Sequence, residues 1–156
     1  MKRMLVPAAL AAAAVLVFAV VNATAKDKPK GEGGSIHVIE HATTDAVTNG
    51  TAGDSAGNIL TFANDVYDAA DAHKIGSDQG YCVRTVVGAA WECNWTTFLP
   101  GGQITVEGPF SDTGDTVVAV TGGTGAYRNT RGSMQLIYHN PAGTEFDFVF
   151  HLHGND

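Results

Sequence analysis

The sequence predicts an all-β fold, an eight-stranded antiparallel barrel, from three observations. Near the end of the chain, apolar Phe146, Phe148 and Phe150 alternate with mostly polar neighbours, a pattern typical of a strand with one buried face. Residues 116–121 (TVVAVT) alternate in the same way and run into glycines, as strands do before a turn. No segment after residue 25 has a convincing helical period, and about eight strand-like segments match a small barrel that can hold one small ligand.

The first 25 residues of the 156-residue chain have the features of a secretory signal peptide. Lys2 and Arg3 precede an apolar run at 5–21, and small residues lead to a cleavage point after Ala25. An uncleaved anchor is the alternative, although a run of ~17 residues is near the lower limit for a membrane span. We therefore expect a secreted protein that has no membrane association after signal cleavage.

The rest of the chain is expected to be one domain behind a short leader. Residues 26–34 (KDKPKGEGG) are charged and aperiodic, which indicates a flexible leader, and residues 35–156 are long enough for a single barrel domain. The formal net charge is −7 at pH 7, and the predicted domain contains no basic cluster. Because an acidic surface repels phosphate backbones, nucleic acid is not expected as a partner.

Eight segments of the domain have strand-like patterns. They are residues 35–43, 59–68, 81–87, 91–99, 103–110, 116–121, 131–139 and 145–152. The stretches 44–58 and 69–80 are rich in small and polar residues and are predicted as loops. The regular succession of short strands and turns favours a sandwich or a closed barrel, and we prefer the barrel.

The first of these segments supplies a candidate functional carboxylate. Ile36, Val38 and Glu40 lie on one face of this strand, and His37 and His41 lie on the other. If the first face points inward, Glu40 is a buried acid, which is costly unless the acid is hydrogen-bonded or functional. The sequence leaves the outward orientation of that face equally open.

The stretch 119–132 (AVTGGTGAYRNTRG) marks a change of chain direction. Gly122, Gly123 and Gly125 permit positive φ values without a penalty from Cβ, so we interpret the stretch as a hairpin turn. A phosphate-binding loop is the alternative, but the Lys-Ser/Thr pair of such a loop is missing and the next segment is a strand.

The two cysteines are predicted to form a disulfide. Cys82 and Cys93 lie on consecutive predicted strands, and a turn near Val87 and Gly88 would place them opposite each other. A disulfide suits an exported chain. The competing interpretation is a free, reactive thiol at Cys82.

No metal is expected. His151 and His153 lie on one strand face, but no further ligand is nearby in the sequence to complete a metal site. The sequence motifs of serine hydrolases and zinc peptidases are absent. Trp91 and Trp95 share a strand face with Cys93, and we expect them to pack in a core or an interface rather than to bind carbohydrate.

Several stretches together resemble one family. TFANDVYD, IGSDQGYCV, ITVEGPF, DTVVAVTGGTGAY and the following RG are similar, in order and spacing, to the allene oxide cyclase barrel and its relatives, the dirigent proteins. The similarity extends from about residue 35 to residue 152. It implies an eight-stranded antiparallel barrel, usually trimeric, with an apolar cavity and no cofactor.

The resemblance also implies roles for individual residues. The cavity glutamate of the cyclases matches Glu40, and the asparagine that helps to hold a water near the epoxide oxygen matches Asn64. Their cavity cysteine matches Cys82, which is available only if it is outside a disulfide. Phe110 stands where the cyclases have a tyrosine, and Ala42 where they have a second asparagine, so this chain lacks that hydroxyl and that amide.

The expected function is stereoselective, cofactor-free cyclisation or isomerisation of an apolar small molecule, such as an oxylipin or a polyene. The expected catalytic residues are Glu40, Asn64 and an unbonded Cys82, and the expected substrate contacts are Val38, Phe62 and Phe110. The expected partners are this hydrophobic substrate and, by resemblance, two further copies of the chain in a homotrimer. The alternatives are a dirigent-like protein that steers the coupling of radicals made by another enzyme, and a simple binder of a hydrophobic ligand.

Overall fold

The computed structural model describes residues 34–50 and 52–154. The predicted signal peptide and residues 26–33 of the predicted leader lie outside the described residues. The described residues form strands and one short 3-10 helix, and none of them builds a helix long and apolar enough to cross a membrane. The prediction of an all-β fold is therefore confirmed.

The described part of the chain contains ten strand segments. They are β1 (Gly34–His41), β2 (Ala46–Asn49), β3 (Ile59–Phe62), β4 (Asp65–Asp68), β5 (Lys74–Val86), β6 (Ala90–Leu99), β7 (Gly102–Ser111), β8 (Thr116–Gly123), β9 (Arg131–Tyr138) and β10 (Glu145–His153). The 3-10 helix, Gly125–Tyr127, lies between β8 and β9.

These ten segments form a closed ring of eight antiparallel barrel strands. The order in the sheet is β2-β3-β5-β4-β1-β10-β9-β8-β7-β6, and the pairing of β5 with β6 closes the ring. β1 pairs with β4 and β2 pairs with β3, while both β3 and β4 pair with β5. Thus β1 and β2 are two halves of one barrel strand, β3 and β4 are two halves of the next, and their breaks at 42–45 and 63–64 are adjacent in the wall. The predicted eight-stranded barrel is confirmed.

Two strands lie where the sequence predicts loops. β5 begins at Lys74 rather than at residue 81, because its first half is hydrogen-bonded to β4 on one side and to β6 on the other. β2 is a strand of four exposed residues that pairs with β3. In both cases hydrogen bonding of the backbone to a neighbouring strand determines the extended conformation. The residues themselves do not alternate between apolar and polar, so the sequence does not predict a strand there.

The inward-facing side chains pack most of the barrel interior. Phe148 and Phe150 of β10 are 1% and 0% exposed, which confirms the predicted inner face of this strand. The packed part of the interior also contains Val38, Val66, Leu99, Ile104, Val106, Val118, Val120 and Met134. Burial of each large apolar side chain stabilises the fold by roughly 1.5–3 kcal/mol.

The connection between β8 and β9 is the predicted hairpin, since the two strands pair antiparallel, but its glycines differ in their roles. β8 continues as strand through Gly122 and Gly123, and of the three glycines it is Gly125, at φ 59°, that adopts the left-handed conformation. At Gly123 a side chain would instead collide with the backbone oxygens of Tyr127 and Gln103. Gly125 therefore permits the turn of the backbone, and Gly123 permits neighbouring segments to approach closely.

Cys82 and Cys93 form the predicted disulfide. They are directly opposite each other on β5 and β6, with their Cα atoms 4.0 Å apart. Gly88, at φ 70°, lies in the turn that joins the two strands. Closing a loop of this length contributes about 2–3 kcal/mol to stability. The alternative of a free thiol at Cys82 is wrong, and with it the catalytic role that depended on that thiol.

Candidate functional site

An apolar cavity occupies the part of the barrel interior that the core leaves open. Its volume is about 50 Å³, well below the roughly 300–1,000 Å³ of small-molecule sites, so a bound molecule would require the lining side chains to move apart. The lining residues are Leu60, Phe62, Cys82, Trp91, Cys93, Trp95, Phe110, Leu136, Phe146 and Phe148, together with the carboxylates Glu40 and Asp45. A cavity of this composition suits a small, mainly apolar molecule and places it beside two acids.

Most of the predicted site residues lie at this cavity. The lining residues among them are Glu40, Phe62, Cys82 and Phe110. Val38 is different: it is 1% exposed and packs in the core, one inward position before Glu40 on β1. Val38 is not among the residues that line the cavity, and its predicted contact with a substrate stays a prediction.

Glu40 is buried on the inner face of β1. Its side chain is 5% exposed, whereas His37 on the outer face is exposed. Of the two orientations that the sequence left open, the inward one is therefore correct. A carboxylate in such surroundings requires hydrogen-bond donors, and these come from the neighbouring break between β3 and β4.

Asn64, 1% exposed, fills that break. Its Oδ1 accepts hydrogen bonds from the backbone nitrogens of Thr43 and Thr44, at 3.0 and 2.9 Å, and from the Thr44 hydroxyl at 3.0 Å. Because a backbone N–H can only donate, these contacts fix which end of the amide carries the oxygen. The Asn64 side chain thereby ties the break in the first barrel strand to the break in the second.

The nitrogen of the same amide holds two carboxylates. Asn64 Nδ2 donates to Glu40 Oε1 at 2.8 Å and to Asp45 Oδ1 at 2.7 Å, which uses both of its hydrogens. In this arrangement no hydrogen remains for a water or a substrate oxygen, the partner that the family resemblance implies. The contacts of Asn64 are those of a residue that positions Glu40 and Asp45, and its part in a reaction stays a prediction.

Asp78 is a second buried carboxyl group beside Glu40, and the sequence analysis missed it. It is 2% exposed, it lies close enough to Glu40 for the two charges to interact, and its Oδ1 accepts a hydrogen bond of 3.3 Å from the Asn64 backbone nitrogen. It was overlooked because residues 69–80 were predicted as a loop. Its inward direction follows from the period of two that links it to Cys82 on β5.

The two buried carboxyl groups share a proton at neutral pH. Burial raises the pKa of Glu40 to about 7, although the hydrogen bond from Asn64 opposes this. Burial and the neighbouring charge of Glu40 raise the pKa of Asp78 to about 10. Two neighbouring carboxyl groups do not both ionise readily, so Asp78, whose pKa is the higher of the two, holds its proton more strongly than Glu40 does. Burial also raises the pKa of Asp45.

The stability of the fold is expected to fall as the pH rises from about 5 to about 9. The pKa values of Glu40 and Asp78 in the folded state exceed their ordinary values of 4.5 and 3.8, so the folded protein binds more protons than the unfolded chain. This stabilisation is complete below the ordinary values and is lost as the pH rises through the folded values of about 7 and about 10. His139, whose pKa is raised by its hydrogen bond with Asp147, acts in the same direction.

Thermal unfolding midpoints across that pH range check this expectation. The midpoint of the wild type should fall with pH, and the Asp78→Asn variant should show a flatter dependence because one of the two titrating groups is gone. A wild-type midpoint that rises with pH would contradict the shared proton.

A separate group of polar residues lies on the outer wall. Ligand-type atoms of His41, Asp71 and Glu145 lie within 4.8 Å of one another, and the His41 ring stacks on Tyr67 with 4.1 Å between ring centroids. His41 Nε2 is hydrogen-bonded to Asp71 Oδ1 at 2.7 Å. Within residues 34–50 and 52–154 these three are the residues best placed to hold a metal ion, and they face away from the cavity.

The chain can be compared with known proteins at the level of structure; no family model matches it. A pyocyanin demethylase is 24% identical, with a TM-score of 0.65, and the match covers 76% of this chain and 98% of that chain. A pterocarpan synthase dirigent protein is 17% identical, with a TM-score of 0.63 and coverage of 81% and 93%. An exo-specific intermolecular Diels-Alderase is 19% identical, with a TM-score of 0.64 and coverage of 80% and 100%.

These similarities show the fold of the chain. The barrel that it shares with a dirigent protein is the one that the sequence resemblance implies, so this prediction is confirmed for the fold. The names of the three neighbours describe three different activities. The choice among functions for this chain therefore depends on its own cavity.

Proposed function

We propose that this chain binds a small apolar molecule, of the oxylipin or polyene class, in its cavity and directs a stereoselective, cofactor-free cyclisation or isomerisation. One observation carries the proposal: Glu40, a carboxylate 5% exposed, lines an otherwise largely apolar cavity. Burying such a group is costly, and a carboxyl group with a pKa near neutrality is suited to proton transfer in that environment.

The apolar wall and the acid have separate tasks in the proposed reaction. The aromatic lining holds a flexible substrate in one reactive conformer, which supplies proximity and orientation. Glu40 stabilises or relays the charge that develops as a bond of the substrate opens. Asn64 positions the Glu40 carboxylate through its hydrogen bond of 2.8 Å, and the neighbouring Asp78 raises the proton affinity of the pair. Because the substrate is rearranged within one molecule, no atoms or electrons are gained or lost.

A dirigent-type role is the second candidate. In such a protein the cavity orients radicals produced by another enzyme, and little acid–base chemistry is needed. Two observations favour it: Cys82 is bonded to Cys93 and offers no thiol, and Phe110 has no hydroxyl in the cavity. The similarity to a pterocarpan synthase dirigent protein supports the same role.

Export and assembly belong to the proposal as well. The disulfide is the kind of bond that persists outside the cytosol, and it supports secretion after cleavage behind Ala25. A homotrimer, with the hydrophobic small molecule as the further partner, is the assembly that we propose for the secreted protein.

Chiral product analysis tests the reaction. An allene oxide is generated in solution with and without the protein, and the enantiomers of the resulting cyclopentenone are separated. We expect an enantiomeric excess in the presence of the protein. A racemic product, identical to that of the protein-free control, would overturn the cyclase and direct attention to radical coupling, tested by adding an oxidase and a phenol.

A further inference from the structure

Trp95 is held firmly in the wall of the cavity. It lies on the inner face of β6, is 3% exposed, and contacts the rings of Phe62 and Phe148 with centroid distances of 6.3 and 5.8 Å. Opposite it on β5 is Gly80, where a Cβ would lie only 2.3 Å from the Cβ of Trp95, so the two strands approach closely beside the base of this side chain. The position of the indole is therefore fixed by close packing on several sides.

The indole nitrogen of Trp95 has no acceptor for its hydrogen among residues 34–50 and 52–154. The other cavity tryptophan differs: Trp91 Nε1 donates to Asp112 Oδ1 at 3.0 Å. A buried N–H without a partner costs roughly 1–3 kcal/mol, and such groups are rare enough to require an explanation.

We propose that the ligand of this cavity carries an oxygen acceptor, of the carbonyl or ether type, that receives the hydrogen of Trp95 Nε1. This inference rests on the proposed function, since it takes the cavity as the ligand site. The rest of the ligand is apolar, as the aromatic and aliphatic lining requires. The Trp95 nitrogen is shielded in this structure and the cavity has a volume of only about 50 Å³, so the ligand oxygen reaches the nitrogen when the side chains that line the cavity move apart.

The hydrogen bond from Trp95 to the ligand fixes the orientation of the ligand, which the apolar wall alone does not do. With Glu40 as an acceptor and Trp95 as a donor in one cavity, an oxygenated ligand is oriented, whereas a plain hydrocarbon of the same shape is not. A site with an unpaired donor also discriminates against a ligand that cannot accept, because the donor then stays unpaired. The ligand class is therefore an oxygenated lipid or terpenoid-like molecule rather than a hydrocarbon.

Two probes of the same skeleton test this, 2-pentylcyclopent-2-enone and 1-pentylcyclopentene, measured by equilibrium binding to the protein. We expect the wild type to bind the enone about tenfold more tightly than the alkene. The Trp95→Phe variant should lose this preference. The Tyr81→Phe variant, at an exposed position outside the cavity, should keep it.

A wild-type measurement makes the test independent of how the variants fold. The chain contains two tryptophans, so its ¹⁵N-resolved spectrum has two indole N–H signals. The enone should shift the Trp95 signal strongly downfield, and the infrared carbonyl band of the bound enone should move to lower frequency. Equal affinities for the two probes, or an unshifted Trp95 signal on enone binding, would overturn the inference while leaving the cavity as a ligand site. If neither the enone nor the alkene binds, both this inference and the proposed binding function are overturned.

Discussion

Replacement of Glu40 by glutamine is expected to reduce turnover roughly 10²–10⁴-fold without unfolding the barrel. Glutamine has the shape of glutamate, so its oxygen can still accept from Asn64 and its nitrogen can donate to Asp78. What is lost is the negative charge and the ability to exchange a proton with the substrate. The enantiomeric excess of the cyclopentenone product, measured for wild type and variant at equal concentration, reports the effect.

The matched control is Glu92→Gln, the same chemical change at an exposed position on the outer face of β6. It should leave both turnover and product handedness unchanged. Circular dichroism and the unfolding midpoint establish that the Glu40→Gln variant is folded. If that folded variant gives the wild-type excess, the cavity steers the substrate by shape alone, and the dirigent-type role replaces the acid–base role.

Replacement of Asn64 by aspartate is expected to lower the free energy of unfolding at neutral pH by about 3–5 kcal/mol, the usual cost of an unpaired buried charge. One carboxylate oxygen can still accept from Thr43 and Thr44. The second carboxylate oxygen takes the place of Asn64 Nδ2, which in the wild type donates to Glu40 at 2.8 Å and to Asp45 at 2.7 Å. The variant therefore has negatively charged oxygens facing each other at those distances. Urea denaturation at pH 7 and at pH 4.5 measures the effect.

The pH dependence distinguishes this mechanism from a simple loss of packing. Protonation of the clustered carboxylates relieves the repulsion, so the destabilisation in Asn64→Asp should shrink as the pH falls. Asn94→Asp, on the outer face of β6, makes the same substitution away from the cluster and should cost much less. A penalty for Asn64→Asp that is the same at both pH values would exclude repulsion as its cause.

The strands with a clear apolar alternation could be predicted from the sequence. β10, with its three phenylalanines, and β6, with its alternating tryptophans and Cys93, were located almost to their ends. The pairing of Cys82 with Cys93 followed from their positions on consecutive strands. Each of these features is local, so the information lies within a few residues of the chain.

The features that the sequence did not reveal depend on distant partners. The first half of β5 contains Gly76, Asp78 and Gly80 on its inner face, a pattern that resembles a loop until β4 and β6 pair with it. Asp78 was missed as a site residue for the same reason. The direction of Glu40 was open because apolar residues occur on both faces of its strand, and the unpaired nitrogen of Trp95 has no signature in the sequence at all.

The hydrogen bonds by which the Asn64 side chain joins the two strand breaks have an evolutionary consequence. Its five hydrogen bonds both close the wall of the barrel and hold the acid of the cavity. A descendant that replaces Asn64 therefore loses both the contacts between the strand breaks and the support of Glu40, whereas one that replaces Glu40 keeps the bonds to Thr43, Thr44 and Asp45. The aromatic lining residues do not hold the strand breaks together. Substitutions at Phe62 or Phe110 can therefore change the range of substrates while Glu40 is retained.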